Sequence, residues 1–442
     1  MLALAREERA CEDLCVAERE LECDIAIVGA GAAGLWAAGR AARAGRRVIL
    51  FEKTARTGTK VLASGGTHCN LTTTLPGREA ARLFGREGAR FLETAFRVLS
   101  PLALRERFAE LGVETVEAPL EKIFPASGRA RDVRDALERE VRAAGASIVC
   151  EAELATLERA HEHWILHFQG GRSARAGRVI LCPGGKSYPR TGTTGDGYVW
   201  LKELGLEQVE PVPALVPLSS PASWVRELTG IALPDVEARI LDSAGKVLGS
   251  RRRPVLFTHR GVSGPGAMDL SVHVARARGA TCTLALDLVP ELTREALRER
   301  CIALAGAGGT PGFSRVLPES LPKRVVHALA RQAGLGGGAI DPRLNTLARA
   351  QRDRLIESAK GLAIPIDGTL GFDLAEVTAG GLALGELDPG TLRVRKHPGL
   401  YVCGELLDLQ GPIGGLNFQA AFSTAELAAR DAVRDVAGDA GR

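Results

Sequence analysis

Residues 24–53 read DIAIVGAGAAGLWAAGRAARAGRRVILFEK. The pattern predicts a short buried strand ending at Val28, a glycine turn, a helix over residues 32–44 and a second buried strand over residues 48–51. Gly45 ends the helix because glycine adopts the left-handed conformation that follows many helices. Strand, helix and strand in this order form one βαβ unit of a parallel sheet. We therefore expect an α/β protein with a Rossmann-like nucleotide-binding domain.

The turn of this unit carries Gly29, Gly31 and Gly34 in the spacing Gly-x-Gly-x-x-Gly. In a glycine-rich chain roughly 0.7 such matches arise by chance, so the context between strand and helix is what makes this one informative. The glycines let the backbone approach a pyrophosphate, whose charge the helix N-terminus stabilises. Glu52 ends the next strand, where a carboxylate can hold the ribose hydroxyls of an adenosine and would repel a 2′-phosphate. NAD or FAD therefore fits better than NADP, and a glycine turn with a purely structural role is the alternative.

The residues after the second strand favour FAD over NAD. The stretch GTKVLASGGTHCNLTT, residues 58–73, is rich in small and hydroxyl residues that can wrap a pyrophosphate and a ribityl chain with backbone amides and Ser64. A plain NAD-binding fold would instead continue directly into its next βα unit.

Length and composition allow a large core and suggest two or three domains, with 442 residues and 45% hydrophobic content. The 57 lysines and arginines against 53 aspartates and glutamates leave +4, which predicts a small-molecule substrate and no nucleic-acid partner. The basic run at residues 251–253 is interpreted as a solvated loop. Nine cysteines stand singly and indicate a reducing compartment, and His161, His163 and His167 lie in a predicted polar strand pair with no metal-ligand framework.

Residues 1–21 are predicted to be a charged N-terminal extension, which lacks the apolar core of a secretory signal. No apolar run approaches the roughly 20 residues of a membrane span, so we expect a soluble, cytoplasmic protein without membrane contact.

The chain is predicted to leave its nucleotide domain and return to it. The first part covers residues 22–207, with helices within 77–111 and 129–144 and antiparallel strands within 147–168 laid over the first sheet. Four prolines in PVPALVPLSSP mark a change to short strands, which we assign to an inserted small β-barrel, with a sandwich as the alternative, over residues 208–290. A helical subdomain follows over residues 291–362. Residues 363–442 then complete the nucleotide domain.

Five ordered motifs carry a family resemblance: GTKVLASGGTHCNLT at 58–72, PGGKSYPRTGTTGDGY at 183–198, FTHRGVSGPG at 257–266, EVTAGG at 376–381 and GLYVCGELLDLQGPIGGLNFQAAFSTA at 399–425. With them the chain resembles bacterial flavoproteins known as NAD(P)/FAD-dependent oxidoreductases, which are related to a gut bacterial reductase of bile-acid enones. The resemblance spans about residues 22–430. It implies an FAD domain of the glutathione-reductase type, interrupted by a β-barrel and a small helical subdomain.

The resemblance also implies which residues contact FAD. The adenosine and pyrophosphate half would lie on the glycine turn and Glu52, and the flavin half on chain that returns after the insert, because FAD is too long for one βαβ unit. The full predicted set is Gly29, Gly31, Ala33, Gly34, Glu52, Lys53, Lys60, Ser64, Gly65, Gly66, Asn70, Gly184, Gly185, Gly404, Glu405, Gly414, Gly415 and Asn417. Amides at the start of the last helix would face the flavin pyrimidine and stabilise negative charge on the reduced ring.

Two short stretches depart from the family pattern. Thr67 and His68 stand where Gly and Arg are usual, which removes a permanent cation near the cofactor. Cys182-Pro183 stands where Ala-Thr is commoner.

The predicted activity is reduction of an electron-poor C=C bond, because bound flavin transfers hydride and the protein needs only to position a substrate and supply a proton. NADH or NADPH would bind transiently at the flavin, since no second nucleotide fingerprint follows a strand. Candidate proton donors are Tyr188, His259, His68 and Cys69, each of which has a purely structural alternative. An oxidase that passes electrons from an amine to O₂ and a non-catalytic flavin-binding redox sensor are the alternative functions.

Overall fold

The computed structural model describes residues 21–335 and 340–439. In chain order the strands are β1 Leu21–Val28, β2 Val48–Phe51, β3 Thr72–Thr73, β4 Thr115–Ala118, β5 Lys122–Pro125, β6 Ser147–Val149, β7 Leu154–Ala160, β8 His163–Phe168, β9 Ser173–Leu181, β10 Gln208–Ala214, β11 Leu218–Ser219, β12 Ala232–Leu233, β13 Glu237–Leu241, β14 Val247–Arg252, β15 Val255–Thr258, β16 Gly261–Ser263, β17 Cys282–Asp287, β18 Leu362–Ile366, β19 Gly368–Thr369, β20 Val377–Leu382 and β21 Leu400–Val402. The predicted N-terminal extension lies outside the described residues, apart from its last residue, Leu21.

The α-helices are α1 Ala32–Arg43, α2 Thr59–Ala63, α3 Gly77–Arg82, α4 Gly85–Val98, α5 Pro101–Glu110, α6 Ala130–Ala143, α7 Asp196–Glu203, α8 Ser223–Glu227, α9 Pro265–Met268, α10 Ser271–Arg276, α11 Arg294–Gly306, α12 Lys323–Gln332, α13 Arg349–Lys360 and α14 Leu416–Asp439. Short 3₁₀ turns cover Ser64–Thr67, Pro189–Thr191, Phe313–Val316, Leu344–Thr346, Leu384–Glu386 and Gly404–Leu406. None of the helices in the described ranges is both long and apolar enough to cross a lipid bilayer.

The chain divides into two compact units. One contains the residues up to Pro211 together with those from Val377 onward, and the other contains Val212–Glu376. Each unit has its own cluster of buried apolar side chains.

The first unit is built on a seven-stranded sheet whose order is β6-β2-β1-β9-β8-β7, with β21 also paired to β9. Strands β6, β2, β1, β9 and β21 run parallel to one another, and β9 pairs at its carboxyl end with β21, with Leu181 opposite Val402. Residues 25–28 of β1 are all buried, as expected for a central strand of a covered parallel sheet. The α/β Rossmann fold predicted from residues 24–53 is confirmed.

Strands β7 and β8 extend this sheet instead of lying over it. The first part of β9 pairs antiparallel with β8, and β8 pairs with β7. The prediction of a separate antiparallel layer was wrong because β9 is long enough to pair with β1 along one edge and with both β8 and β21 along the other.

Helix α14, which comes from the C-terminal part of the chain, packs along α1 and completes the first unit. Trp36 of α1 lies 5.3 Å from the Phe422 ring, and its indole N–H donates to Glu426 at 2.9 Å. The sequence after the insert therefore contributes both a strand, β21, and a covering helix to the nucleotide domain.

The second unit contains two antiparallel sheets, ordered β12-β15-β16-β11-β19 and β14-β13-β17-β18. Neither sheet closes on itself within the described residues, so the closed barrel that we predicted is not found. Strand β18 follows the helices α11–α13 and pairs with β17, which precedes them. Local sequence shows a run of short strands but not these long-range pairings, and the pairings decide between a barrel and open sheets.

Candidate functional site

The glycine turn between β1 and α1 packs so closely that two of its glycines have no room for a side chain. Gly29 has φ +99°, and a Cβ added to it would lie 2.5 Å from the carbonyl oxygen of Cys182. A Cβ on Gly34 would lie 1.8 Å from the carbonyl oxygen of Gly29. These two positions therefore hold the helix against the strand end.

Gly31 differs from both, because a Cβ added there would meet no atom within 4 Å. It is the N-cap residue of α1, with φ −77°, no side-chain cap and no acidic residue in the first turn. The amides of this twelve-residue helix thus begin at an open, uncapped end, which suits an anionic ligand. This opening fits the pyrophosphate of a dinucleotide.

Glu52 is held in one orientation at the carboxyl end of β2. One carboxylate oxygen accepts a hydrogen bond from the Ala30 amide at 2.8 Å, and the other accepts from the Thr54 amide at 2.9 Å and the Thr54 hydroxyl at 2.8 Å. The carboxylate is thereby fixed beside the glycine turn, as an adenosine ribose requires.

The Lys53 ammonium is bonded to two other side chains of the protein. Its ammonium lies 2.5 Å from the Thr194 hydroxyl and 2.5 Å from the Asp196 carboxylate at the start of α7. Lys53 therefore links the chain after β2 to the start of α7. Its predicted contact with the cofactor remains a prediction.

Glu405 joins four segments that are distant in sequence. One of its oxygens lies 2.6 Å from the Lys60 ammonium, and the other accepts from the Ser187 hydroxyl at 2.7 Å and the Thr378 amide at 3.0 Å. Lys60 also donates to the Ser187 hydroxyl at 2.6 Å. This cluster, which we call the Glu405 cluster, brings together Lys60, Ser187, Thr378 and Glu405.

Glycines lie around the Glu405 cluster, where separate segments of the backbone approach each other closely. A Cβ on Gly185 would lie 2.3 Å from the Thr378 hydroxyl and 2.7 Å from a Glu405 oxygen. Gly184, with φ +85°, faces the Thr193 methyl, and Gly404, with φ +73°, packs against Ala33 of α1. The turn after β21 therefore lies against the start of the nucleotide-binding helix.

Asn70 connects the loop after β2 to the start of α14. Its amide oxygen accepts from the Gly415 amide at 2.9 Å, and its nitrogen donates to the Thr72 carbonyl at 3.2 Å and to the Ile123 carbonyl at 3.3 Å. A Cβ on Gly415 would lie 2.2 Å from the Thr72 carbonyl oxygen. The first and last segments of the nucleotide domain thus meet through backbone contacts.

The loop before α14 is stabilised by its own residues. Asn417 accepts from the Gly411 amide and donates to the Gly411 carbonyl, each at 2.9 Å. Gly414 has φ +143° and no atom closer than 4.0 Å to an added Cβ. This leaves an open approach to the backbone in front of the last helix.

The loop at residues 64–69 follows an unusual backbone path. Gly65, Gly66, Thr67 and Cys69 have φ of +54°, +65°, +75° and +57°. Thr67 occupies the position where the family pattern has glycine, and a β-branched residue is strained in the left-handed region. The Ser64 hydroxyl donates to the Val61 carbonyl at 2.7 Å and so caps a helical turn.

The candidate proton donors lie in very different environments. Tyr188 is 38% exposed and has φ +58°, and no hydrogen bond to its hydroxyl is found in the described ranges. His68 is exposed, with Nδ1 2.7 Å from the Gly128 carbonyl, while Cys69 is fully buried and burial raises the pKa of its thiol to about 12. His259 is exposed in the turn between β15 and β16, within the second unit. Tyr188 is therefore accessible from solvent, whereas Cys69 is part of the buried core.

Sequence reasoning missed several residues that lie in this part of the structure. Ser187 and Thr378 complete the Glu405 cluster, and both lie in family motifs that could have drawn attention to them. The Tyr198 hydroxyl is buried, and burial raises its pKa above the usual range. Cys182, under the glycine turn, has a raised pKa because its thiol interacts with that of Cys403 and is buried.

Comparison with known proteins gives consistent matches over nearly the whole chain. Residues 23–431 match the family described as HI0933-like protein Rossmann domain. The ribosomal RNA dihydrouridine synthase of Escherichia coli is 29% identical over 416 residues, covering 93% of this chain and 98% of that protein. The 3-dehydro-bile acid delta(4,6)-reductase of Clostridium scindens is 30% identical over 419 residues, covering 92% and 98%.

Among solved structures, the 3-ketosteroid-delta4-(5alpha)-dehydrogenase of Rhodococcus jostii, in complex with 4-androstene-3,17-dione, aligns with a TM-score of 0.50. The two chains are 16% identical, and the alignment covers 95% of this chain and 98% of the other. This likeness supports a shared fold.

Proposed function

The chain belongs to the HI0933-like family and is an FAD-dependent oxidoreductase, and from this premise we propose that it reduces a carbon–carbon double bond conjugated to a carbonyl group. The observation that carries the cofactor assignment is the open position at Gly31 beside closed positions at Gly29 and Gly34. Glu52 would hold the adenosine ribose, and the loops joined through Asn70 and Glu405 would hold the flavin half. When bound, FAD supplies hydride.

The two named relatives support this bond type. One is named for making dihydrouridine, which is uridine with its ring C=C bond saturated, and that bond is conjugated to a ring carbonyl. The other is named as a reductase of delta(4,6) double bonds in a 3-dehydro bile acid, where the carbonyl is again conjugated. Hydride addition to such a bond places negative charge on the carbonyl oxygen, and a proton must then reach carbon.

Tyr188 is our candidate for the group that supplies this proton. Its side chain is accessible and its hydroxyl makes no bond within the described residues, so it is free to face a substrate. Its left-handed backbone is maintained by hydrogen bonds from Thr191 and Thr193 to the Tyr188 carbonyl. A non-glycine residue held in this conformation is a feature often found at functional sites.

NADH or NADPH would provide the electrons in this proposal. The test is anaerobic: the purified protein is expected to be yellow, to bleach with NADH or NADPH, and to regain colour when a 3-oxo-Δ4 steroid or a uridine-containing RNA is added. Tyr188→Phe is expected to slow the recolouring step about 10²-fold without slowing bleaching. Bleaching by an amine but not by either nicotinamide would instead support the oxidase, and absence of bleaching by any donor would support the redox sensor.

The relatives leave two substrate classes, a small enone and a base within RNA. The expectation of a small organic substrate and no nucleic-acid partner depended on the whole-chain charge of +4. A net charge does not describe how charges are distributed, and their distribution in this chain is uneven.

A further inference from the structure

The excess positive charge of the chain is concentrated in one segment. Residues 291–360 contain twelve lysines and arginines against seven aspartates and glutamates, a net charge of +5, whereas the whole chain carries +4. The rest of the chain is therefore close to neutral. A charge excess confined to one part of the chain produces a local field that the total conceals.

Within this segment α12 has the most one-sided composition. Its sequence, KRVVHALARQ, contains Lys323, Arg324, His327 and Arg331 and no acidic residue. Lys323 and Arg324 stand in the first turn, where the helix dipole disfavours cations, and the helix has no side-chain N-cap. The placement does not stabilise the helix, so it needs another explanation.

Three basic side chains of this helix are exposed: Lys323, Arg324 and Arg331. Arg331 pairs with the exposed Glu227 carboxylate at 3.2 Å, and Arg324 donates only to the Glu227 carbonyl, at 2.8 Å. Lys323 is exposed, as is Arg315 in the 3₁₀ turn that packs on α12, and neither forms an ion pair within the described ranges. We call Arg315, Lys323, Arg324 and Arg331 the α12 surface.

We propose that the α12 surface binds the phosphate backbone of an RNA that carries the base to be reduced. The proposal rests on the proposed function, because it selects RNA as the source of the conjugated C=C bond. Arginine and lysine on an exposed surface bind the regularly spaced single charges of a polynucleotide, and such contacts position a nucleic acid without reading its sequence. Guanidinium groups add two-pronged hydrogen bonds to phosphate oxygens.

The test compares two triple variants of the full-length, FAD-loaded protein. Arg315→Ala, Lys323→Ala and Arg324→Ala together remove three charges from the α12 surface. Arg78→Ala, Arg82→Ala and Arg86→Ala remove three charges from exposed arginines of α3 and α4, which form no ion pair within the described residues of the other unit. The probe is a fluorescein-labelled, uridine-containing RNA of about 30 nucleotides, titrated between 50 and 200 mM KCl.

We expect the α12 variant to bind RNA at least about tenfold more weakly than wild type at 100 mM KCl, with the slope of log Kd against log salt reduced by about 2. The Arg78 variant should change neither quantity by more than a small factor. Equal weakening in both variants, or wild-type binding without salt dependence, would overturn the proposal. Loss of binding to phosphatidylserine-containing vesicles in the α12 variant, with RNA binding intact, would also overturn it in favour of a membrane.

A second readout separates this proposal from the proposed function. Both variants should retain FAD and bleach with NADH or NADPH at the wild-type rate, because no substituted residue lies in the cofactor site. If neither the steroid nor RNA reoxidises the wild-type flavin, the proposed reduction fails whatever the RNA titration shows. If reoxidation occurs and only the α12 effect on RNA binding is missing, the docking surface alone is wrong.

Discussion

Replacing Gly31 by alanine should weaken FAD binding roughly 100-fold while leaving the protein folded. The added methyl group meets no protein atom within 4 Å, so the chain alone can accommodate it. It would stand in the opening at the start of α1, where the pyrophosphate has to approach the backbone. The neighbouring Gly34→Ala should behave in the opposite way, because its Cβ would overlap the Gly29 carbonyl oxygen at 1.8 Å.

The expected magnitudes separate the two variants. Gly31 has φ −77° and ψ −164°, a conformation that alanine adopts freely. Loss of glycine at an N-cap costs about 0.5 to 1 kcal/mol, and the smaller entropy of the unfolded alanine chain offsets about 0.4 to 1 kcal/mol. Losing one or two charge-assisted hydrogen bonds to phosphate costs about 3 kcal/mol, or roughly 100-fold in Kd. Gly34→Ala should lower the free energy of unfolding by at least about 3 kcal/mol.

Urea unfolding of the FAD-free proteins measures stability, and titration with FAD, followed by quenching of flavin fluorescence, measures affinity. Gly385→Ala is the matched control, because an added Cβ there also meets nothing within 4 Å and the residue lies outside the site. The reasoning fails if Gly31→Ala binds FAD within threefold of wild type, or if its loss of stability equals that of Gly34→Ala.

Three further predictions follow from strained or buried groups. Thr67→Gly should raise the free energy of unfolding by up to about 1 kcal/mol, because relief of left-handed strain exceeds the entropy cost of glycine. A lower free energy of unfolding, measured by urea denaturation, would contradict this. Glu405→Gln should lower the free energy of unfolding by about 2 kcal/mol, because the Lys60 ammonium loses its charged partner in a site where Glu405 is only 20% exposed. Adding Lys60→Met should restore part of the lost stability in thermal melts. No recovery in the double variant would argue against this pairing. Cys69, whose pKa is raised to about 12 by burial, should not react with a thiol reagent at pH 8 until the protein unfolds; mass spectrometry that found rapid modification of the native protein would refute its burial.

Local sequence was sufficient for the core of the nucleotide domain. The apolar strand, the glycine turn and the helix lie within 30 residues, and each responds to forces between near neighbours. The family match over residues 23–431 confirms the resemblance that the motifs indicated. The second unit was less predictable, since β17 and β18 pair across about 75 intervening residues and no local pattern specifies that register.

The same contrast between local patterns and long-range contacts applies to the predicted site residues. Gly29 and Gly34 could be identified from spacing, because the fingerprint encodes a local close approach. The partners of Lys60 and Lys53 could not be identified from the sequence, because nothing near a lysine in the sequence indicates which distant carboxylate it will pair with. The concentration of charge on α12 was visible in the sequence but was hidden by counting the chain as a whole.

By itself, the sequence predicted a Rossmann-type nucleotide-binding unit, because hydrophobic periodicity and glycine geometry act over short distances. Its family motifs implied FAD and a return of the chain to that domain over residues 363–442. Tertiary structure alone decided which side chains would share the Glu405 cluster, where Lys60 and Glu405 are 345 positions apart, and which glycines would face open space. Those outcomes depend on packing between distant segments, and packing is a property of the folded chain.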